Sequence, residues 1–193
     1  MTIGLVRRRL PAVLALTVAL AACSTSADDA PERLVSTPGP APADVTFRPP
    51  PAGTPPAPAF DLPLLDGDVV DAAEQTEQRP LLLVFFETGC TLCSEQQQEI
   101  NEVAAEFGDL VLFLGIAGTS APDDVQAYVS ENNVAYPVGT DPAGEIWFQY
   151  GVDEPPLVAL VSQGGRLLRG WPGGIGGDAL REQIEELVLL PDS

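Results

Sequence analysis

The run Leu81-Leu82-Leu83-Val84-Phe85-Phe86 narrows the folds open to this chain more than any other feature. Arg79-Pro80 bounds it before and Glu87-Thr88-Gly89 after, so it is short, unbroken and without a polar face. Such a run reads as a strand buried on both faces, which requires layers packed above and below a sheet. Cys90-Thr91-Leu92-Cys93 follows, and Thr91 to Phe107 then carries helical spacing. Cys93, Gln97, Ile100, Ala104 and Phe107 fall on one stripe, with Glu95, Glu99, Glu102 and Glu106 mostly on the other. The cysteine pair therefore stands where a central strand gives way to a helix.

Alternation continues along the chain. Phe60 to Val70 reads as a hairpin around Asp66-Gly67. Leu110 to Ile116 is a second buried strand, Asp123 to Asn132 a helix, Pro137-Val138 a short edge strand and Gly144 to Tyr150 a further helical turn or two. Val158 to Val161 is a strand that Gln163-Gly164-Gly165-Arg166 turns into Leu167 to Gly170, and Asp178 to Leu189 is an acidic terminal helix. Strands alternating with helices and ending in a hairpin imply an α/β domain whose sheet is of mixed direction.

The front of the chain reads differently. Arg7, Arg8 and Arg9 precede an apolar run from Leu10 to Ala22, too short to span a bilayer as a mature helix, so residues 1–22 read as an export signal. The junction Leu20-Ala21-Ala22-Cys23 resembles the lipobox of bacterial lipoproteins, which implies that Cys23 becomes a lipidated N-terminus. A discarded signal or an uncleaved anchor is the plainer alternative. A diacylglyceryl group supplies the two chains that stable anchoring needs, so the expected location is the outer face of a cell membrane. Residues 23–59 are rich in Pro, Ala, Ser and Thr with almost no large apolar side chain, which predicts a disordered linker ahead of a domain over residues 60–193.

Charge and missing residue types remove whole classes of function. The net charge is -19, from 28 acidic residues against nine Arg and no Lys, so nucleic acid would be repelled. The chain has no His, hence no usual general base, no partner for a cysteine-protease nucleophile and no imidazole ligand for zinc or copper. Chemistry is left to cysteine and carboxylate.

At a strand-to-helix junction the two cysteines are unequal. Free N–H groups and the positive end of the helix dipole favour a thiolate at Cys90, while Cys93 shares the apolar stripe and is shielded. Cys90 is then the attacking sulfur and Cys93 the resolving one, in a cycle that needs no cofactor or metal. A structural staple is the bland alternative, but so small a loop removes only roughly 2 kcal/mol of unfolded-chain entropy. Two thiolates awaiting metal ligands from another chain are a further alternative.

Taken whole, Leu83-Val84-Phe85-Phe86-Glu87-Thr88-Gly89-Cys90-Thr91-Leu92-Cys93 resembles the active-site segment of thioredoxin-like proteins of the TlpA/ResA type. The resemblance continues through Tyr136-Pro137-Val138, Asp141-Pro142-Ala143-Gly144, Tyr150-Gly151-Val152 and Pro155-Pro156-Leu157-Val158 to Gly170. It implies a thioredoxin-like fold, with a mixed central sheet flanked by helices, an N-terminal hairpin extension and a helix and edge-strand insertion. It implies a monomeric, membrane-tethered thiol-disulfide oxidoreductase that acts on protein thiols and disulfides, as in cytochrome c assembly or the folding of exported proteins, with a separate membrane redox partner. It also implies that Pro156 is a cis-proline that helps hold a substrate segment.

Departures from that pattern matter. Gly89 stands where relatives often carry Trp, Val84 where classical thioredoxin has a buried Asp, and Gln96 where several relatives place Glu. Glu87 and Glu95 are nearby carboxylates, expected to be solvated surface. A peroxiredoxin-type peroxidase would want Pro and Thr where Leu83 and Glu87 stand. A lipoprotein using the fold only as a binding module is the non-enzymatic rival.

Overall fold

The computed structural model describes Met1 and residues 36–190. Residues 2–35, which hold the expected export signal after Met1, the Cys23 expected to carry lipid and the first part of the expected linker, lie outside the described residues.

The apolar run is strand β3 (Leu81–Phe86), with every residue buried. It lies at the centre of a five-stranded sheet with β4 (Leu112–Ala117), β5 (Val138–Thr140), β6 (Leu157–Val161) and β7 (Leu167–Pro172), in the order β5-β4-β3-β6-β7. The pairs β3/β4 and β4/β5 are parallel, whereas β3/β6 and β6/β7 are antiparallel, so the sheet is mixed. A separate hairpin, β1 (Asp61–Pro63) with β2 (Val69–Asp71), docks on the β5 edge through a bridge from Leu64 to Gly139.

Alternation along β3 sorts the core into two layers. Leu82, Val84 and Phe86 face helices α2 (Thr91–Phe107), α3 (Pro122–Glu131) and α5 (Gly177–Leu187), among Ile100, Val125, Leu180 and Ile184. Leu81, Leu83 and Phe85 face the hairpin, α1 (Ala72–Gln78) and α4 (Glu145–Tyr150), among Phe60, Leu62, Ala72 and Ile146. On this second face Phe85 meets Trp147 edge-on at 6.1 Å and Tyr150 at 5.4 Å between ring centroids.

Periodicity does not predict helix α1. It is seven residues long and buries only Ala72 and Thr76, too few for a periodic stripe. Its start does carry a local signal, because the Asp71 carboxylate accepts the Glu74 N–H at 3.0 Å as an N-cap.

The expected linker differs from the structure over residues 36–59. This segment has no helix, yet it lies against the domain. Phe47 is 7% exposed and bridges to Leu189, and the Arg48 N–H donates to the Val188 carbonyl at 2.7 Å. The Leu167 N–H donates to Pro55 and the Ala57 N–H to Gly165, both at 3.0 Å, and Arg79 Nη2 donates to the Gly39 carbonyl. The physical reason is that proline-rich backbone loses little entropy on ordering, so one aromatic anchor and a few backbone hydrogen bonds suffice. Several of these contacts gather at the start of β3, the end of the sheet away from its junction with α2.

Tyr150 tests this attachment, because its hydroxyl donates to the Pro58 carbonyl at 2.9 Å. Tyr150→Phe should lower stability by about 1 kcal/mol in urea unfolding and speed proteolysis within residues 36–59.

Candidate active site

Strand β3 ends at Phe86, residues 87–89 turn the chain, and Cys90 becomes the N-cap of α2 with extended backbone at φ -85° and ψ 105°. The two sulfurs are bonded, with S–S 2.04 Å and Cα atoms 5.2 Å apart. Cys90 Sγ accepts the Cys93 N–H at 3.1 Å. The first turn of α2 carries no acidic residue, so nothing there opposes negative charge on that sulfur. Cys90 is half-buried and Cys93 is 3% exposed, packed in the core with Phe86 and Ile100. An incoming thiolate can therefore reach Cys90 and not Cys93. Leu92, between them, is 43% exposed and lies on the rim.

The Pro155–Pro156 peptide bond is cis. Because Leu157 pairs with Phe85, Pro156 enters the sheet at the end where β3 leads into Cys90. The Pro156 carbonyl accepts the Gly173 N–H at 2.8 Å, which joins this loop to the turn after β7.

The carboxylates expected to be solvated separate into two cases. Glu95 is exposed, as expected. Glu87 is not free: its carboxylate accepts the Thr119 N–H at 2.7 Å, the Thr119 hydroxyl at 3.2 Å, the Ser120 N–H at 3.1 Å and the Ser120 hydroxyl. Gly118 makes this possible, since a Cβ there would lie 2.4 Å from Glu87 Oε1 and 2.9 Å from the Trp147 ring. Glu87 thus ties the residue after β3 to the loop after β4. Glu87→Ala should lower stability by about 2 kcal/mol and accelerate amide hydrogen exchange at Thr119 and Ser120.

Behind Cys93 lies a polar group that the helical stripe concealed. Gln97 is 2% exposed, and its Nε2 donates to the Tyr136 hydroxyl at 2.8 Å and to Asn101 Oδ1 at 2.9 Å. Burial pushes the Tyr136 phenol well above its ordinary range, with the Gln97 hydrogen bond opposing, so this network stays neutral. A Gln on an otherwise apolar stripe is the signal that would have found it, because a buried amide requires partners. Among the described residues no cluster of three or more His, Cys, Asp or Glu side chains is placed to hold a metal ion.

A bonded cysteine pair placed this way on a sheet of this order defines the thioredoxin-like class, whose similar members here include thiol-disulfide oxidoreductases. Its sequence matches the model of the AhpC/TSA family over residues 54–169, and the chain belongs to that family.

Individual relatives agree with the class. The thiol-disulfide oxidoreductase ResA of Bacillus thuringiensis subsp. konkukian is 25% identical over 133 residues, 68% of this chain and 74% of that protein. A thioredoxin-like protein of Haemophilus influenzae is 29% identical over 100 residues, 52% of this chain, and the match spans 59% of that relative's length. The structure of a secreted Mycobacterium tuberculosis disulfide oxidoreductase homologous to E. coli DsbE is 25% identical. It superposes with TM-score 0.60 over 66% of this chain and 96% of its own.

Proposed function

We propose that this chain exchanges disulfides with partner proteins outside the cytoplasm while held to a membrane by lipid on Cys23. The observation that carries the redox part is the unequal exposure of two bonded sulfurs at a helix N-terminus.

In the reduced chain the Cys90 thiolate attacks one sulfur of a partner disulfide. A Cys90–partner disulfide forms, and the partner's other sulfur leaves as thiolate and takes up a proton. Cys93 then gives up its proton and attacks Cys90 Sγ, the intramolecular disulfide forms, and the partner's second sulfur leaves. Two electrons pass from the Cys90–Cys93 pair to the partner. Run backward, the same steps oxidise a partner dithiol. Pro156 receives the partner's extended segment. A separate membrane redox protein restores the starting state, and the cycle serves cytochrome c assembly or the folding of exported proteins.

Two considerations support a site outside the cytoplasm: the export and lipobox pattern before Cys23, and the secreted M. tuberculosis relative. Cys23→Ala should move the protein from the membrane fraction to the soluble fraction without changing its disulfide-exchange rate. Retention on the membrane after that substitution would refute the lipid anchor.

A further inference from the structure

Gln96 lies one turn beyond Cys93 on α2, and the exchange chemistry leaves it without a role. Its Nε2 donates to the Gly173 carbonyl at 3.1 Å, and the Gly173 N–H donates to the Pro156 carbonyl at 2.8 Å. Two hydrogen bonds in series therefore connect the helix that carries both cysteines to the cis-proline. The fit is close. Gly173 and Gly174 hold φ 81° and 80°, and a Cβ on Gly174 would lie 1.8 Å from Gln96 Oε1. That Oε1 is buried with no hydrogen-bond partner. Burial of an unpaired acceptor is unfavourable, so a side chain serving only its own solvation would turn outward, as its neighbour Glu95 does.

We propose that Gln96 is a positioning residue: through Gly173 it sets where the Pro156 loop stands relative to Cys90, and so how well a partner's cysteine segment is held against both. This rests on the disulfide-exchange reading above. No bond forms or breaks at Gln96, so its effect belongs to partner binding and leaves the sulfur chemistry unchanged.

The test is steady-state reduction of a disulfide-bridged peptide, with dithiothreitol re-reducing the Cys90–Cys93 pair after each turnover, by the wild type, Gln96→Ala, Gln96→Glu and Gly174→Ala. At neutral pH Gln96→Glu keeps the length of the side chain and loses the donor, so it should behave as Gln96→Ala does. Each variant should raise KM about tenfold with kcat within about twofold, the pattern of lost uniform binding. The midpoint of the Cys90–Cys93 redox titration should not move. Because Gln96 and Gly174 act through one contact, the double variant Gln96→Ala/Gly174→Ala should be no worse than the weaker single variant.

An unchanged KM in Gln96→Ala overturns the proposal, even if Gly174→Ala fails to fold. A Gln96→Glu rate above wild type overturns it too, by making this position a proton-transfer site. A wild type that turns over no peptide removes the underlying reading and this role together, whereas an active wild type with an unaltered Gln96→Ala removes this role alone.

Discussion

Cys93→Ser should stop the exchange cycle halfway and leave a Cys90–partner disulfide that survives non-reducing electrophoresis. The geometry requires this outcome. Cys93 is buried at 3% exposure and reaches only the sulfur bonded to it, so its one role is to displace whatever Cys90 has captured. Without it no internal thiolate attacks Cys90 Sγ, and release waits on an external thiol. Turnover should fall to the rate of that external reaction while partners accumulate on the chain. Cys90→Ser should capture nothing through the pair, because Cys93 is inaccessible. Mass spectrometry of species trapped by Cys93→Ser would also identify the partners. Capture that persists in a Cys90→Ser/Cys93→Ser double variant would show that the adducts form elsewhere.

The largest loss of stability should follow Phe85→Ala. Phe85 is 0% exposed on the central strand, with its ring against Trp147 and Tyr150. Removing it takes a large apolar surface from the core and leaves a cavity between β3 and α4, neither of which can collapse far. A cost of about 3–5 kcal/mol is expected, equivalent to a fall in Tm of roughly 10 °C. Leu92→Ala provides the contrast: Leu92 is 43% exposed beside the cysteines, and its removal should leave Tm nearly unchanged. Urea unfolding of both variants checks the pair. Equal losses would mean that the rim packs like a core.

These expectations depend on features of unequal legibility. Strand β3 and helix α2 were readable because each announces itself within a single window: an unbroken apolar run in one, a stripe from Cys93 to Phe107 in the other. The place of the bonded pair Cys90–Cys93 was readable for the same reason, since its spacing and its position between those elements are local facts. What escaped is non-local and polar. Glu87 resembles any surface carboxylate until Thr119 and Ser120, more than thirty residues on, supply their N–H groups. Gln96 finds Gly173 across 77 residues. The 36–59 segment has the composition of a free linker, and its attachment depends on Phe47, on the Pro55 and Gly39 carbonyls that meet donors from β7 and Arg79, and on the Arg48 N–H, which donates to Val188 near the C-terminal end. Periodicity shows which face of an element is buried and does not show which distant groups satisfy its polar atoms.

Equilibrium redox titration decides whether Cys90 and Cys93 form a reversible two-electron couple. The protein would be equilibrated in graded glutathione or dithiothreitol buffers, with the couple followed by thiol alkylation and Trp fluorescence. One reversible transition is expected, with the slope of a two-electron couple, about 30 mV for each tenfold change, identical from either direction. A midpoint well below about -220 mV would assign the chain to disulfide reduction, and one near -120 mV to the oxidation of exported proteins. A pair that stays bonded, or once reduced does not re-form, would rule out disulfide exchange and leave Cys90–Cys93 as a structural staple.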